Sequence, residues 1–264
     1  QVAFGPRVPG STASEKCRKF LTDFCGTLGF PVDTMIFKNT DKKSGVEITM
    51  INLIAHCRGY DSGSGENILL TAHYDSRPIA DYDPDTLRRK LPIDGANDGA
   101  SGVAVLMELA NLFKQTRPRV NVDLAFLDGE DWGEAGDLSQ YFLGAREMTR
   151  RNIRGHYKFA LIIDMIGDKD LRVYREEFSE KYYPEINNMI WKAASRLGEK
   201  AFIDSIGYAV HDDHLSFMTI DLPSAVIIDF NYPPWHTGGD TPDKCSPKSL
   251  EAVGRVLVEI LYGI

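Results

Sequence analysis

Three familiar signatures are missing from this chain of 264 residues: CxxC, HExxH and GxSxG. Without CxxC there is no thiolate pair to build a zinc finger. Without HExxH there is no helical zincin site, and without GxSxG there is no serine nucleophile on a strand-to-helix elbow. Cysteine is scarce, with four residues: Cys17, Cys25, Cys57 and Cys245. Cys17 and Cys25 stand two turns apart on one expected helix, too far to bridge each other, so free thiols in the core are expected. No apolar run approaches the roughly 20 residues a membrane helix needs. Basic runs are also absent and the net charge is −8, which argues against a nucleic-acid partner. No repeat, low-complexity tract or linker divides the chain, so residues 1–264 are expected to form one domain.

What is present is an ordinary globular composition, 43% hydrophobic and 26% charged, long enough for a sizeable core. Ser11 to about Gly29 reads as a helix with Phe20, Leu21, Phe24 and Leu28 on one face. Residues 33–39 and 46–56 alternate apolar and polar around the turn "TDKKSG", the pattern of a hairpin. Four compact runs follow, "NILLTAHY" (67–74), "VDLAFLD" (122–128), "FALIIDMIG" (159–167) and "PSAVIIDF" (223–230). Each is apolar on both alternating faces, as a strand covered on both sides must be. Helical patterns lie between them at about 100–116, 138–150 and 181–197, and a last helix opens at Ser246 and Pro247. Strands alternating with helices predict a three-layer α/β/α sandwich around a central mixed, mostly parallel sheet.

Ligands of open α/β sheets bind beyond the carboxyl ends of the strands. Those exits carry His73 and Asp75 in "AHYDS", Asp94 and Asp98 in "IDGANDGASG", and Asp128, Glu130 and Asp131 in "LDGED". They also carry Asp164 in "IIDMIG" and His236 in "PPWHT", with a further acid pair and histidines in "HDDHL" (211–215). One aspartate at a strand end is usually a turn or cap residue. Imidazole and carboxylate at nearly every exit instead fit a divalent metal, and without thiolate the donor set suits Zn²⁺. A metal would also offset the repulsion among the three crowded acids of "DGED". After Asp98, the small residues Gly99-Ala100-Ser101-Gly102 let a helix start close to the sheet and aim its amides at the metal region. The Met107, Leu109, Leu112 and Phe113 stripe reads as core.

Together these motifs resemble the zinc-dependent aminopeptidases of the M28 peptidase family. Within it the closer likeness is to the animal-type glutaminyl cyclases and their bacterial relatives. The likeness runs from "RVPGSTAS" through "AHYDS", "DGED", "LGARE" and "IIDMIG" to "DDHLSF", "PPWHT" and the last helix. "AHYDS" and "NDGASGV" are shared across the superfamily, whereas "DDHxxF" followed by "WHT" marks the cyclases. The aminopeptidase pattern implies two metals on His73, Asp98, Asp131, Asp164 and His236. The cyclase pattern implies one Zn²⁺ per chain on Asp98, Asp131 and His236. His73 and Asp164 would then be remnants of a second site, with Asp164 in an acid network. The resemblance makes Glu130 the general acid/base and Asp212 the residue that positions the substrate amine and shares protons with Glu130 and Asp164. Trp235 becomes an aromatic wall, with Tyr232 and Trp132 completing an apolar slot.

Two departures stand out. The acid pair is Glu130-Asp131 where the family has Glu-Glu, and Ala72 stands where animal cyclases place a disulfide cysteine. The long "RPIADYDPDTLRRKLPID" segment reads as a surface loop. The expected activity is cyclisation of N-terminal glutamine in peptides or proteins to pyroglutamate with loss of ammonia. The alternatives are a two-metal aminopeptidase and a non-catalytic peptidase-like binding domain. A monomer is expected. The family likeness and the start at Gln1 suggest an exported protein, periplasmic or extracellular, trimmed of a leader.

Overall fold

The computed structural model describes residues 1–61, 66–151 and 153–264. Its centre is a six-stranded sheet in the order β1-β2-β4-β3-β5-β8. The antiparallel portion is the expected hairpin, β1 (Val32–Thr40) and β2 (Glu47–Cys57), with β2 also antiparallel to β4 (Asn121–Leu127). The remaining pairings are parallel: β3 (Asn67–His73) with β4 and with β5 (Phe159–Asp164), and β5 with β8 (Ser224–Ile228). A separate parallel pair, β6 (Val173–Arg175) and β7 (Phe202–Ile206), sits apart from it.

Alternation along the central strands divides the core in two. Ile68, Leu70 and Ala72 of β3 and Leu161 and Ile163 of β5 face one layer of helices, α1 (Thr12–Leu28), α2 (Ala100–Gln115), α5 (Pro184–Leu197) and α7 (Pro247–Gly263). Leu69, Ala160 and Ile162 face the other, with α3 (Leu143–Arg150) and α6 (Asp213–Met218). This is the three-layer sandwich read from the runs of apolar residues. From β3 the chain passes by α2 to β4 on one side, then returns across β3 to β5 on the other. The reversal opens a crevice beyond the carboxyl ends of β3 and β5.

Local differences from the sequence reading have physical causes. On α1 the fully buried stripe is Cys17, Leu21 and Cys25, four residues apart, while Phe20 turns outward to Phe4 of the N-terminal arm. Helix α3 starts at Leu143 rather than near 138, because Asp137 caps a short 3-10 turn at Leu138–Gln140 and Phe142 adopts φ 60°. The pattern over 181–197 is two helices: α4 (Glu177–Tyr182) ends, and Pro184 opens α5. All four cysteines are free, with Cys245 only half-buried. Among the described residues no helix is long and apolar enough to cross a membrane.

Candidate active site

Residues that the sequence scatters over 160 positions meet at the crevice. His73 ends β3 and Asp164 ends β5, while Asp98 sits just before α2. Asp131 follows β4 by four residues, and His236 follows β8. They form two groups sharing one member, His73–Asp98–Asp164 and Asp98–Asp131–His236, with the donor atoms of each group within 4.8 Å of one another. His236 Nε2 lies 3.3 Å from Asp131 Oδ1 and 3.7 Å from Asp98 Oδ2. A tetrahedral ion with bonds of about 2.0–2.1 Å needs donors about 3.3 Å apart. Asp131 Oδ2, although buried, has no hydrogen-bond partner among the described residues. The donor set, its spacing and this orphaned oxygen fit Zn²⁺. The first group fits too, with His73 Nε2 at 3.1 Å from Asp98 and 3.2 Å from Asp164.

The backbone around these ligands is held by other carboxylates. Asp75, a candidate ligand by sequence, belongs to neither group. It accepts the amides of Glu130 and Asp131 and faces His73 Nδ1 at 3.4 Å. Asp240 accepts the amides of Asn97 and Asp98 at 2.8 and 3.1 Å, and so fixes the loop that carries the shared ligand. Asp128 accepts from Ile51 N and Tyr74 Oη at 2.9 and 2.7 Å, an anchor rather than a ligand. Asp94 contributes its main-chain carbonyl to Arg7. Gly99 has an ordinary helical φ of −61°, so space rather than conformation requires glycine there. A Cβ would meet His73 O at 2.3 Å and its ring at 2.6 Å. Met165, next to Asp164, and His236 itself take φ of 49° and 55°, a strained region for these residues that tends to cluster at functional sites.

Crowding decides the protonation states. Burial, opposed in part by His73 and reinforced by Asp131, Asp213 and Asp212, raises the Glu130 carboxyl well above its usual range. Burial with Asp164 and Asp213 does the same to Asp212, and Asp213 rises to about 7. Asp131 goes the other way: burial would raise it, but His236 and Arg77 outweigh burial and hold it at about 2. The two neighbours of "DGED" are thus driven apart, one toward holding a proton and one toward holding a cation.

Glu130, Asp98, Asp131, Asp164, Asp212 and His236 open onto one cavity of about 260 Å³. That is just below the roughly 300–1,000 Å³ of typical small-ligand pockets. Trp235 walls it, stacked on His236 at 3.9 Å and meeting Phe230 edge-on at 4.8 Å. Two expected wall residues are elsewhere. Tyr232 is buried and donates its hydroxyl to Asp240 at 2.8 Å, which makes it a support. Trp132 lines a different cavity, with Pro78 and Ile79. His214 also points away, its Nε2 lying 3.1 Å from Glu176.

The segment after His73, read as a surface loop, divides. Residues 84–92 are exposed, but Arg77 is buried against Asp131 and Tyr82 lines the cavity, stacked over His236 at 5.6 Å. Its charged composition hid this contribution. Asp240 was also missed, although it lies four residues after His236, whereas Asp213 is the second acid of the pair in "HDDHL".

The sequence model of peptidase family M28 matches residues 52–261. Among solved structures, the chain is similar to a glutaminyl cyclase of Bacteroides thetaiotaomicron bound to N-acetylhistamine, at 33% identity and TM-score 0.93, covering 100% of this chain and 94% of that one. It is equally similar to a leucine aminopeptidase precursor of the same organism, at 34% identity and TM-score 0.93, covering 100% and 93%. A protein of Pyrenophora tritici-repentis named "Probable zinc metalloprotease" is 28% identical over 156 residues, 59% of this chain and 30% of that protein. The chain thus spans less than a third of the length of such curated relatives.

Proposed function

The chain belongs to peptidase family M28, and within that family we propose that it is a zinc-dependent glutaminyl-peptide cyclotransferase. The reaction is attack of the α-amine of an N-terminal glutamine on its own γ-carbonyl, closing a lactam and expelling ammonia. The observation that carries this reading is the small aromatic-walled cavity that holds two crowded acids, Glu130 and Asp212, both raised above the usual carboxyl range by burial, beside the ligand cluster.

Ring closure is already intramolecular, so the protein must fold the side chain back and move a proton rather than create a nucleophile. Trp235, Phe230 and Met165 offer apolar contact for the glutamine methylenes, in a space suited to one side chain. Asp212 faces the same cavity and receives the substrate amine. Glu130 takes the proton released by the attacking nitrogen and returns it to the departing one, so no net proton is consumed and ammonia leaves. A carboxyl raised toward neutrality is suited to both transfers. Asp98, Asp131 and His236 would hold the zinc ion, which when bound would supply Lewis acidity at the γ-carbonyl. We propose one ion per chain, with peptides or proteins bearing N-terminal glutamine as substrates.

A second reading, a two-metal aminopeptidase, is favoured by the intact His73–Asp98–Asp164 group. Zinc per chain, measured on active protein together with ammonia release from a glutaminyl peptide, separates them. One zinc with stoichiometric ammonia and pyroglutamyl product supports the cyclase. Two zincs and cleavage of the peptide bond overturn it.

A further inference from the structure

Arg77 is fully buried and gives its donors to two carboxylates beside the ligand cluster. Its Nε and Nη2 grip Asp81 as a fork at 2.8 and 2.7 Å. Its Nη1 donates to Asp131 Oδ1 at 2.8 Å and to the Asp131 carbonyl at 3.4 Å. Asp131 Oδ1 thereby stands between the guanidinium and His236 Nε2, which lies 3.3 Å away on the other side. Asp81 Oδ1 also faces His236 Nδ1, the ring nitrogen turned away from Asp98 and Asp131, at an ion-pair distance of 3.7 Å; that buried nitrogen has no hydrogen-bond partner among the described residues. The guanidinium carbon also lies 5.3 Å from the ring centre of Tyr141, another cavity residue.

From this we infer that Arg77 is a positioning residue of the metal centre, fixing Asp131 directly and His236 through Asp81. A buried guanidinium is costly unless its donors are well satisfied. Here it is satisfied by one candidate ligand and by the carboxylate that faces another. Contacts behind metal ligands set ring orientation and carboxylate geometry, and losing them typically weakens metal binding by about 10–100-fold. Arginine is required because its planar fork spans two carboxylates in fixed geometry, which a lysine ammonium on a flexible stem does not do. One residue close after β3 therefore ties together the turn after β4 and the loop after β8, which are distant in sequence. The inference rests on the assignment of Asp98, Asp131 and His236 as the metal ligands, and not on which reaction the metal serves.

The test compares the full chain with R77K, D81N and H236A. Zinc affinity is measured by competition with a chromophoric chelator, the visible spectrum is recorded after Co²⁺ substitution, and the metal-free proteins are melted. R77K and D81N are expected to bind zinc about 10–100-fold more weakly and to shift the Co²⁺ bands, with metal-free melting close to the parent. A merely structural arginine would lower the metal-free melting temperature and leave affinity and spectrum alone. If R77K does not fold, D81N decides, because Asp81 is partly exposed and its loss releases the fork that holds the Arg77 guanidinium against Asp131. Zinc affinity within about threefold of the parent in the folded variants, with H236A losing zinc, would overturn the role of Arg77 and leave the ligand assignment standing. Full zinc binding by H236A would overturn the assignment itself.

Discussion

Asp75 Oδ1 accepts the backbone amide of Glu130 at 3.3 Å, and the other oxygen of Asp75 takes the next amide, that of Asp131, at 3.2 Å. A carboxylate from the exit of β3 therefore shapes the turn at the exit of β4. It does so without touching the side chains that act there.

An asparagine at this position keeps one acceptor and turns an NH₂ toward the second amide. Asp75→Asn should leave one buried N–H unpaired, at a cost of about 1–3 kcal/mol. Denaturant unfolding should show that loss. Activity should fall further than stability alone explains, because Glu130 and Asp131 move with the turn.

Glu130 belongs to neither ligand group, and in the proposed reaction it is the proton relay. Glu130→Gln should keep the zinc content of the parent while turnover drops by about 10²–10⁴-fold. Elemental analysis beside steady-state kinetics checks both halves. Near-parental turnover would remove Glu130 from the chemistry.

At Gly99 a single methyl is too much. Its Cβ would come within 2.3 Å of the His73 carbonyl oxygen and 2.6 Å of the ring, and neither a β-strand end nor a helix start yields easily. Gly99→Ala should cost about 1–3 kcal/mol from overpacking, read as a lower denaturant midpoint. It should also displace His73 and lower activity. A variant with unchanged stability and rate would contradict the close approach.

The sequence disclosed the sheet and the cluster for the same reason. The runs ending in His73, Leu127, Asp164 and Ile228 are buried on both faces, so they carry no amphipathic ambiguity, and their ends mark where polar residues converge. The shorter elements were harder to see. Strands β6 and β7 have three and five residues, and α6 has six, too few for a periodic pattern. Arg77 was hidden because a charged residue among Pro and Asp looks solvated, and only the fold reveals that it is enclosed by Asp81 and Asp131. Trp132 opens onto a different cavity from its neighbour Asp131, a separation that adjacency in sequence does not disclose.

Acid stability should carry the mark of Glu176, which lies away from the ligand cluster. Burial would raise this carboxyl, but the hydrogen bond and charge of His214 and the amides of Phe178 and Ser179 outweigh burial and lower it to about 2. A carboxyl depressed in the folded state contributes stability that is full above its unfolded value of about 4.3 and is lost as pH falls through the folded value. Glu176→Gln should therefore destabilise the protein by about 3–5 kcal/mol near neutrality, as breaking a buried pair does. The difference from the parent should shrink as pH falls from about 4 toward 2. Melting curves across that range test it; a difference independent of pH would show that packing and not charge is at work.

The central claim is that the small aromatic-walled cavity closes a glutamine side chain instead of cutting a peptide bond. Zinc-loaded protein offered glutaminyl-naphthylamide and leucyl-naphthylamide side by side tests it most directly. The account predicts ammonia and pyroglutamyl-naphthylamide from the first and no free naphthylamine from the second. Naphthylamine from the leucine compound, with no ammonia from the glutamine compound, would contradict it.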